Sequence, residues 1–151
     1  MNVAVGCDHR GFSAKERIKA DLEGTGHTVH DVGCNSRESC DYPDLGLAGA
    51  NAVAGGMCDR AILLCGTGIG MSMAANKVRG IRAALCHDEL TAEMSRRHNN
   101  ANVLCLPADL IGEELIRRVV DIWLKTEFEA GRHEKRLSKI TDYEKDVCGK
   151  A

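Results

Sequence analysis

The sequence predicts a three-layer, doubly wound α/β fold: a five-stranded parallel sheet covered by helices on both faces, with one extra C-terminal helix. Three observations predict it. Apolar runs and helical stretches alternate five times along 151 residues. The apolar runs are nearly continuous, as in strands buried on both faces, rather than alternating as in half-exposed ones. Two of them also lead straight into loops rich in glycine or charge, at the strand ends where such sheets bind ligands.

Strands are expected at 3–7, 28–32, 60–65, 81–86 and 102–106. Helices are expected between them at 13–23, 44–54, 70–77, 88–98 and 112–126. The fifth carries Leu115, Ile116, Val119, Val120, Trp123 and Leu124 as a wide apolar stripe. A polar link then leads to a charged last helix at 134–145, which could pack on its own domain or reach a partner subunit. Parallel strands joined by helices imply right-handed crossovers. With no repeat or low-complexity stretch, residues 1–151 read as one domain.

Composition excludes several functions. A formal net charge of −2 leaves no basic field for nucleic acid or an anionic membrane. Aromatics are only 3%, too few for base-stacking platforms. No apolar run approaches membrane-spanning length, and no signal-like segment precedes the first strand, so a cytoplasmic protein is expected. The eight cysteines include no CxxC pair, and several end apolar runs; reduced thiols and no structural metal are expected.

The segment Cys65-Gly66-Thr67-Gly68-Ile69-Gly70 carries the most chemistry. A buried strand ends at Cys65, a loop with three glycines follows, and a helix starts. Glycines let the backbone approach a ligand and turn its N–H groups inward. Those groups suit an anion or a developing oxyanion, and they stabilise a thiolate. Nucleotide motifs do not fit: a dinucleotide fingerprint needs glycine where Met71 stands, and Gly6 to Gly11 is followed by Phe12 rather than lysine.

Other segments are ambiguous alone. Asp8, His9 and Arg10 emerge together after the first strand. His98 ends the fourth helix, where it could favour the helix dipole or face a cleft. Arg132 and Arg136 lie four apart, on one face of any helix, and either bind a phosphate monoester or remain solvated.

Together the stretches Gly6-Cys7-Asp8-His9, Asp41-Tyr42-Pro43, Cys65-Gly66-Thr67-Gly68-Ile69-Gly70, Ala74-Ala75-Asn76-Lys77, Gly80-Ile81-Arg82-Ala83, His98-Asn99, Asn102-Val103-Leu104 and Gly131-Arg132-His133 with Arg136 run in order over nearly the whole chain. They resemble the ribose-5-phosphate isomerase B family, which includes allose- and galactose-6-phosphate isomerases. The resemblance implies a Rossmann-like domain and an aldose–ketose isomerase without cofactor, of the kind found in the pentose phosphate pathway. It interconverts ribose 5-phosphate and ribulose 5-phosphate through an enediolate. One subgroup uses a cysteine at the position of Cys65 as base, the other a glutamate at Met71; Met71 cannot accept a proton.

By the same resemblance, His98 opens the furanose ring, with Asp8 nearby. Thr67 and the N–H groups of Gly66, Gly68, Ile69 and Gly70 hold the enediolate. Asp41, Tyr42 and Asn99 contact sugar hydroxyls, and His9, Arg132 and Arg136 bind phosphate. A homodimer or homotetramer with sites at the subunit interface is implied. One position departs: many members have a phosphate-binding arginine where Asp109 stands. Asp109 is therefore expected to pair with a nearby cation, Arg132 or Arg136 of a partner chain being candidates, or to contact a hydroxyl of a different substrate. The alternatives are an isomerase of allose 6-phosphate, galactose 6-phosphate or a tetrose phosphate, a non-catalytic sugar-phosphate or nucleotide-binding module, and a thiol redox protein.

Overall fold

A computed structural model describes residues 1–148. The strands are β1 (Asn2–Cys7), β2 (Thr28–Asp31), β3 (Arg60–Cys65), β4 (Ala83–Leu85) and β5 (Val103–Pro107). The helices are α1 (Phe12–Gly24), α2 (Tyr42–Ala54), α3 (Ile69–Ala75), α4 (Glu89–Asn99), α5 (Glu113–Lys125) and α6 (Arg132–Cys148). All strand pairs are parallel, in the order β2-β1-β3-β5-β4. The fold class is the expected one.

Period-two alternation along the central strands divides the core in two. Val3, Val5, Ile62, Leu64, Leu104 and Leu106 face α1, α4 and α5, and pack with Ile18, Leu22, Val119 and Trp123. Ala4, Ala61, Leu63, Cys65, Val103 and Cys105 face α2 and α3, and pack with Ala50, Met71 and Ala75. Every residue of β3 is buried. Small residues on the second face let α2 approach closely: a Cβ added at Gly49 would lie 2.6 Å from Leu63.

The first face holds its charges by pairing. Lys15 is fully buried, and its ammonium bonds Asp31 at 2.6 Å and the Cys34 carbonyl at 2.9 Å. Arg60 donates to the last carbonyls of α5, Trp123 at 3.1 Å and Leu124 at 2.9 Å, which helix geometry leaves without partners. Arg60 and Arg96 also lie over the Trp123 ring, at 5.3 and 5.8 Å from its centre.

Most boundaries shift by one or two residues from expectation, and two elements show the cause. The fourth strand was expected over 81–86 and spans 83–85. The Arg82 N–H instead goes to the Asn102 side chain at 2.8 Å. Asn76 closes the outer edge of β4: its amide accepts from the Ala83 N–H and donates to the Ala83 carbonyl, both at 2.9 Å. The last helix begins two residues early, at Arg132, directly after Ala130 and Gly131 at φ 56° and 57°.

Candidate active site

The carboxyl ends of β1, β3 and β5 meet at a cleft of about 560 Å³. Chain direction along the sheet reverses beside β1, the place where doubly wound folds open a crevice. Cys65, the last residue of β3, lies in its wall, 5% exposed. Gly66, Thr67, Ile69 and Gly70 continue that wall. Asp8 enters from β1, and Tyr42 covers Gly70 from the start of α2.

The loop geometry explains its glycines. Gly68 sits at φ 72°, and an added Cβ would lie 2.4 Å from Leu85. In that conformation its N–H donates to the Cys65 sulfur at 3.1 Å. The Ile69 N–H reaches the Thr67 hydroxyl at 3.4 Å. An N–H aimed at sulfur favours negative charge there. Gly66 is where β1 and β5 loops converge: an added Cβ would lie 2.6 Å from an Asp109 oxygen and 3.0 Å from Arg10 Nε.

Asp8 is buried, and one of its oxygens accepts from the Arg10 N–H at 2.9 Å and the Gly11 N–H at 3.3 Å. Asp109 has the nearby cationic partner expected for it, and that partner comes from the same chain. The Arg10 Nε of the same chain donates to its carboxylate. That bond is the main reason the Arg10 guanidinium is held above its ordinary pKa. Arg10 and Met73 line the cleft and were not singled out as site residues from sequence. The arginine's position directly after Asp8-His9 was the available signal.

The remaining expected residues lie apart from this wall. His9 faces Cys40, whose N–H approaches its Nδ1 at 3.4 Å. Asp41 is exposed at the start of α2. His98, at the end of α4, stacks on His133 of α6 with ring centres 4.1 Å apart and planes within 4°. Glu129 lies 3.7 Å from both rings, and Arg97 donates to it. Arg132 Nε reaches the His133 ring at 3.3 Å. Burial, then His98 and the charges of Arg132 and Arg136, depress the His133 pKa. The Asn99 carbonyl accepts from Arg82 at 3.2 Å.

The sequence residues thus form one group around Cys65 and one around His133, with His9 and Asp41 in neither. Glu129 and His133 of the second group were not singled out. His98, Glu129 and His133 are the one set of three ligand-type side chains whose donor atoms lie within 4.8 Å of one another among the described residues. Arg97 and Arg132 already bond Glu129 and His133, and their charge favours an anion over a cation there.

Two further grooves, bordered by α1 and α5, contain no thiol. One of them reaches Met1 and His27, at the amino-terminal ends of β1 and β2, opposite the usual ligand end of such a sheet.

A buried thiol against a backbone donor, in a cleft with a carboxylate and a glycine-rich loop, is the arrangement of an α/β enzyme. The comparisons specify the family. The family model described as Ribose/Galactose Isomerase matches residues 3–140. Ribose-5-phosphate isomerase B of Escherichia coli is 47% identical over 142 residues, covering 94% of this chain and 95% of that one. D-erythrulose-4-phosphate isomerase of Pectobacterium atrosepticum is 43% identical and covers 95% of each. The structure of ribose-5-phosphate isomerase B from Clostridium thermocellum superposes with a TM-score of 0.95 at 49% identity, over 97% of this chain and 99% of that one. The chain belongs to the ribose/galactose isomerase family and is a sugar-phosphate aldose–ketose isomerase of the ribose-5-phosphate isomerase B type.

Proposed function

We propose that the cleft interconverts ribose 5-phosphate and ribulose 5-phosphate, with the Cys65 thiolate as base. The observation that carries this is the Gly68 N–H donating to the Cys65 sulfur at 3.1 Å in the wall of the cleft. In the open-chain aldose, the thiolate removes the C2 proton. The electron pair forms the C1–C2 double bond, and the carbonyl oxygen becomes an enediolate oxyanion. Cys65 returns the proton to C1, while the O2 proton passes to O1. Thr67 and the N–H groups of Gly66 and Gly70 are the donors for the oxyanion, the Gly68 N–H being engaged by the Cys65 sulfur and the Ile69 N–H by the Thr67 hydroxyl. Tyr42 and Asp41 contact sugar hydroxyls, and His9 contacts phosphate.

Opening the furanose ring needs a base at the O1 hydroxyl and an acid at the ring oxygen O4. Asp8 supplies one from the cleft. His98, Asn99, Arg132 and Arg136 lie outside that wall, so we place them in the cleft of a second copy in a homodimer. Ile140, Tyr143 and Val147 form an exposed apolar stripe on α6, which fits such an assembly. Mixing Cys65→Ala with His98→Ala protein tests it. A shared site restores about a quarter of wild-type activity at equal mixing, and a site within one chain restores none.

A tetrose phosphate is the second reading, favoured by the nearly equal likeness to the erythrulose-4-phosphate enzyme. Relative kcat/KM on ribose 5-phosphate and erythrulose 4-phosphate, with solvent proton exchange followed by NMR, separates the two.

A further inference from the structure

Among the described residues, Arg10 is the only cation in the wall of the Cys65 cleft, and it stands there with two carboxylates, Asp8 and Asp109. A phosphate dianion entering the cleft meets both acids, and Arg10 is the group present to offset them.

Arg10 is held at its backbone amide and again at its side-chain Nε. The Arg10 N–H is bonded to buried Asp8 at 2.9 Å. Its Nε donates to Asp109, which lies 99 residues further along the chain. Asp109 is itself anchored, because its N–H donates to the Gly66 carbonyl at 3.0 Å. The guanidinium therefore crosses directly over the loop next to Cys65. With its Nε engaged, its Nη groups make no hydrogen bond among the described residues, and the side chain is 56% exposed. A guanidinium carries five N–H donors in a plane, and the Nη edge matches the spacing of two phosphate oxygens.

We propose that Arg10 binds the phosphate of the substrate through its Nη edge, with Asp109 as the positioning residue that turns that edge toward the cleft. This rests on the reading of the Cys65 cleft as the substrate site. Asp109 takes the donor that the phosphate does not need, so an acid at this position serves anion binding rather than opposing it. It acts through Arg10 and does not touch the substrate.

The test uses the purified enzyme with inorganic phosphate as probe, by calorimetry and as a competitive inhibitor, beside KM and kcat for ribose 5-phosphate. Arg10→Ala is expected to weaken inorganic phosphate about tenfold to a hundredfold, the range for a lost charge-assisted contact. KM rises by a similar factor and kcat changes much less. Arg10→Lys recovers part of the loss, because charge remains and the fork does not. Asp109→Ala raises KM by a smaller factor, and Asp109→Asn restores much of it, since the amide oxygen still accepts from Nε. Unchanged phosphate binding in Arg10→Ala, or a fall in kcat at constant KM, overturns the proposal. The calorimetric arm needs no turnover, so it stands apart from failure of the proposed reaction, which an active Cys65→Ser enzyme would reveal.

Discussion

The Gly68 N–H points at the Cys65 sulfur from 3.1 Å, which couples a left-handed glycine to the group proposed as base. Replacing the sulfur removes the proton acceptor and leaves the packing nearly intact. Cys65→Ser is expected to lower kcat by about 10²–10⁴-fold, the usual worth of a positioned general base. The serine hydroxyl is too weak an acid to stand in. Circular dichroism should be unchanged; a kcat near the wild-type value would remove Cys65 from the mechanism.

Gly68→Ala tests the loop that holds the sulfur. An L-residue at φ 72° costs about 1–2 kcal/mol. The new Cβ would also lie 2.4 Å from Leu85 and 3.0 Å from the Leu106 backbone. The expected result is a lower Tm together with a loss of kcat, as the amide is pushed off the sulfur. Full activity at full stability would show that this N–H is dispensable.

Arg132 and Arg136 are expected to act on binding. Truncating either to alanine should cost about 1.5–3 kcal/mol in apparent substrate affinity, the range for a contact to a charged group. The turnover number should change less, because the phosphate lies away from the reacting carbons. If KM is the same in both variants, the phosphate is held by other residues.

His133 sets a pH response. The folded-state pKa of His133 lies below its ordinary value, mainly through burial and then through His98, Arg132 and Arg136. The folded protein therefore binds fewer protons than the unfolded chain between the folded pKa and the ordinary one. Stability from this group is complete above the ordinary histidine value and is lost as pH falls through the folded pKa. Glu129 is shifted down, first by Arg97, so its contribution is lost only at more acidic pH. Tm measured through the histidine range should decline less in His133→Asn than in wild type. Parallel curves would assign the acid sensitivity to other groups.

Much of the fold was legible because its central strands β1, β3 and β5 are buried on both faces. The run 60–65 reads as one apolar block, and β3 is buried at every residue. The glycine loop was legible because Gly66, Gly68 and Gly70 serve close approaches that no larger residue permits. Strand order was not, since nothing local in 103–107 says that β5 lies between β3 and β4. The Arg10–Asp109 bond was hidden for the same reason: its partners are 99 residues apart and meet only when β1 and β5 loops converge over Gly66. Proximity in sequence had suggested neither residue to the other. The stacking of His98 on His133 likewise depends on how α6 lies against α4.

The place of β5 in the sheet also bears on how the chain acquires its structure. β4 leaves the ribosome before β5, yet among the described residues β5 is the only strand with which it pairs. Three residues long, β4 cannot be held by β3, which spends its free side on β5. The third strand to arrive on this half of the sheet must insert between two that preceded it. Until residue 107 is available, the side chain of Asn76 is what can keep Ala83 in extended form, bonding both its N–H and its carbonyl. The first three strands can close early, while the far edge is completed last and as a unit, a late and non-local step of the kind that slows folding.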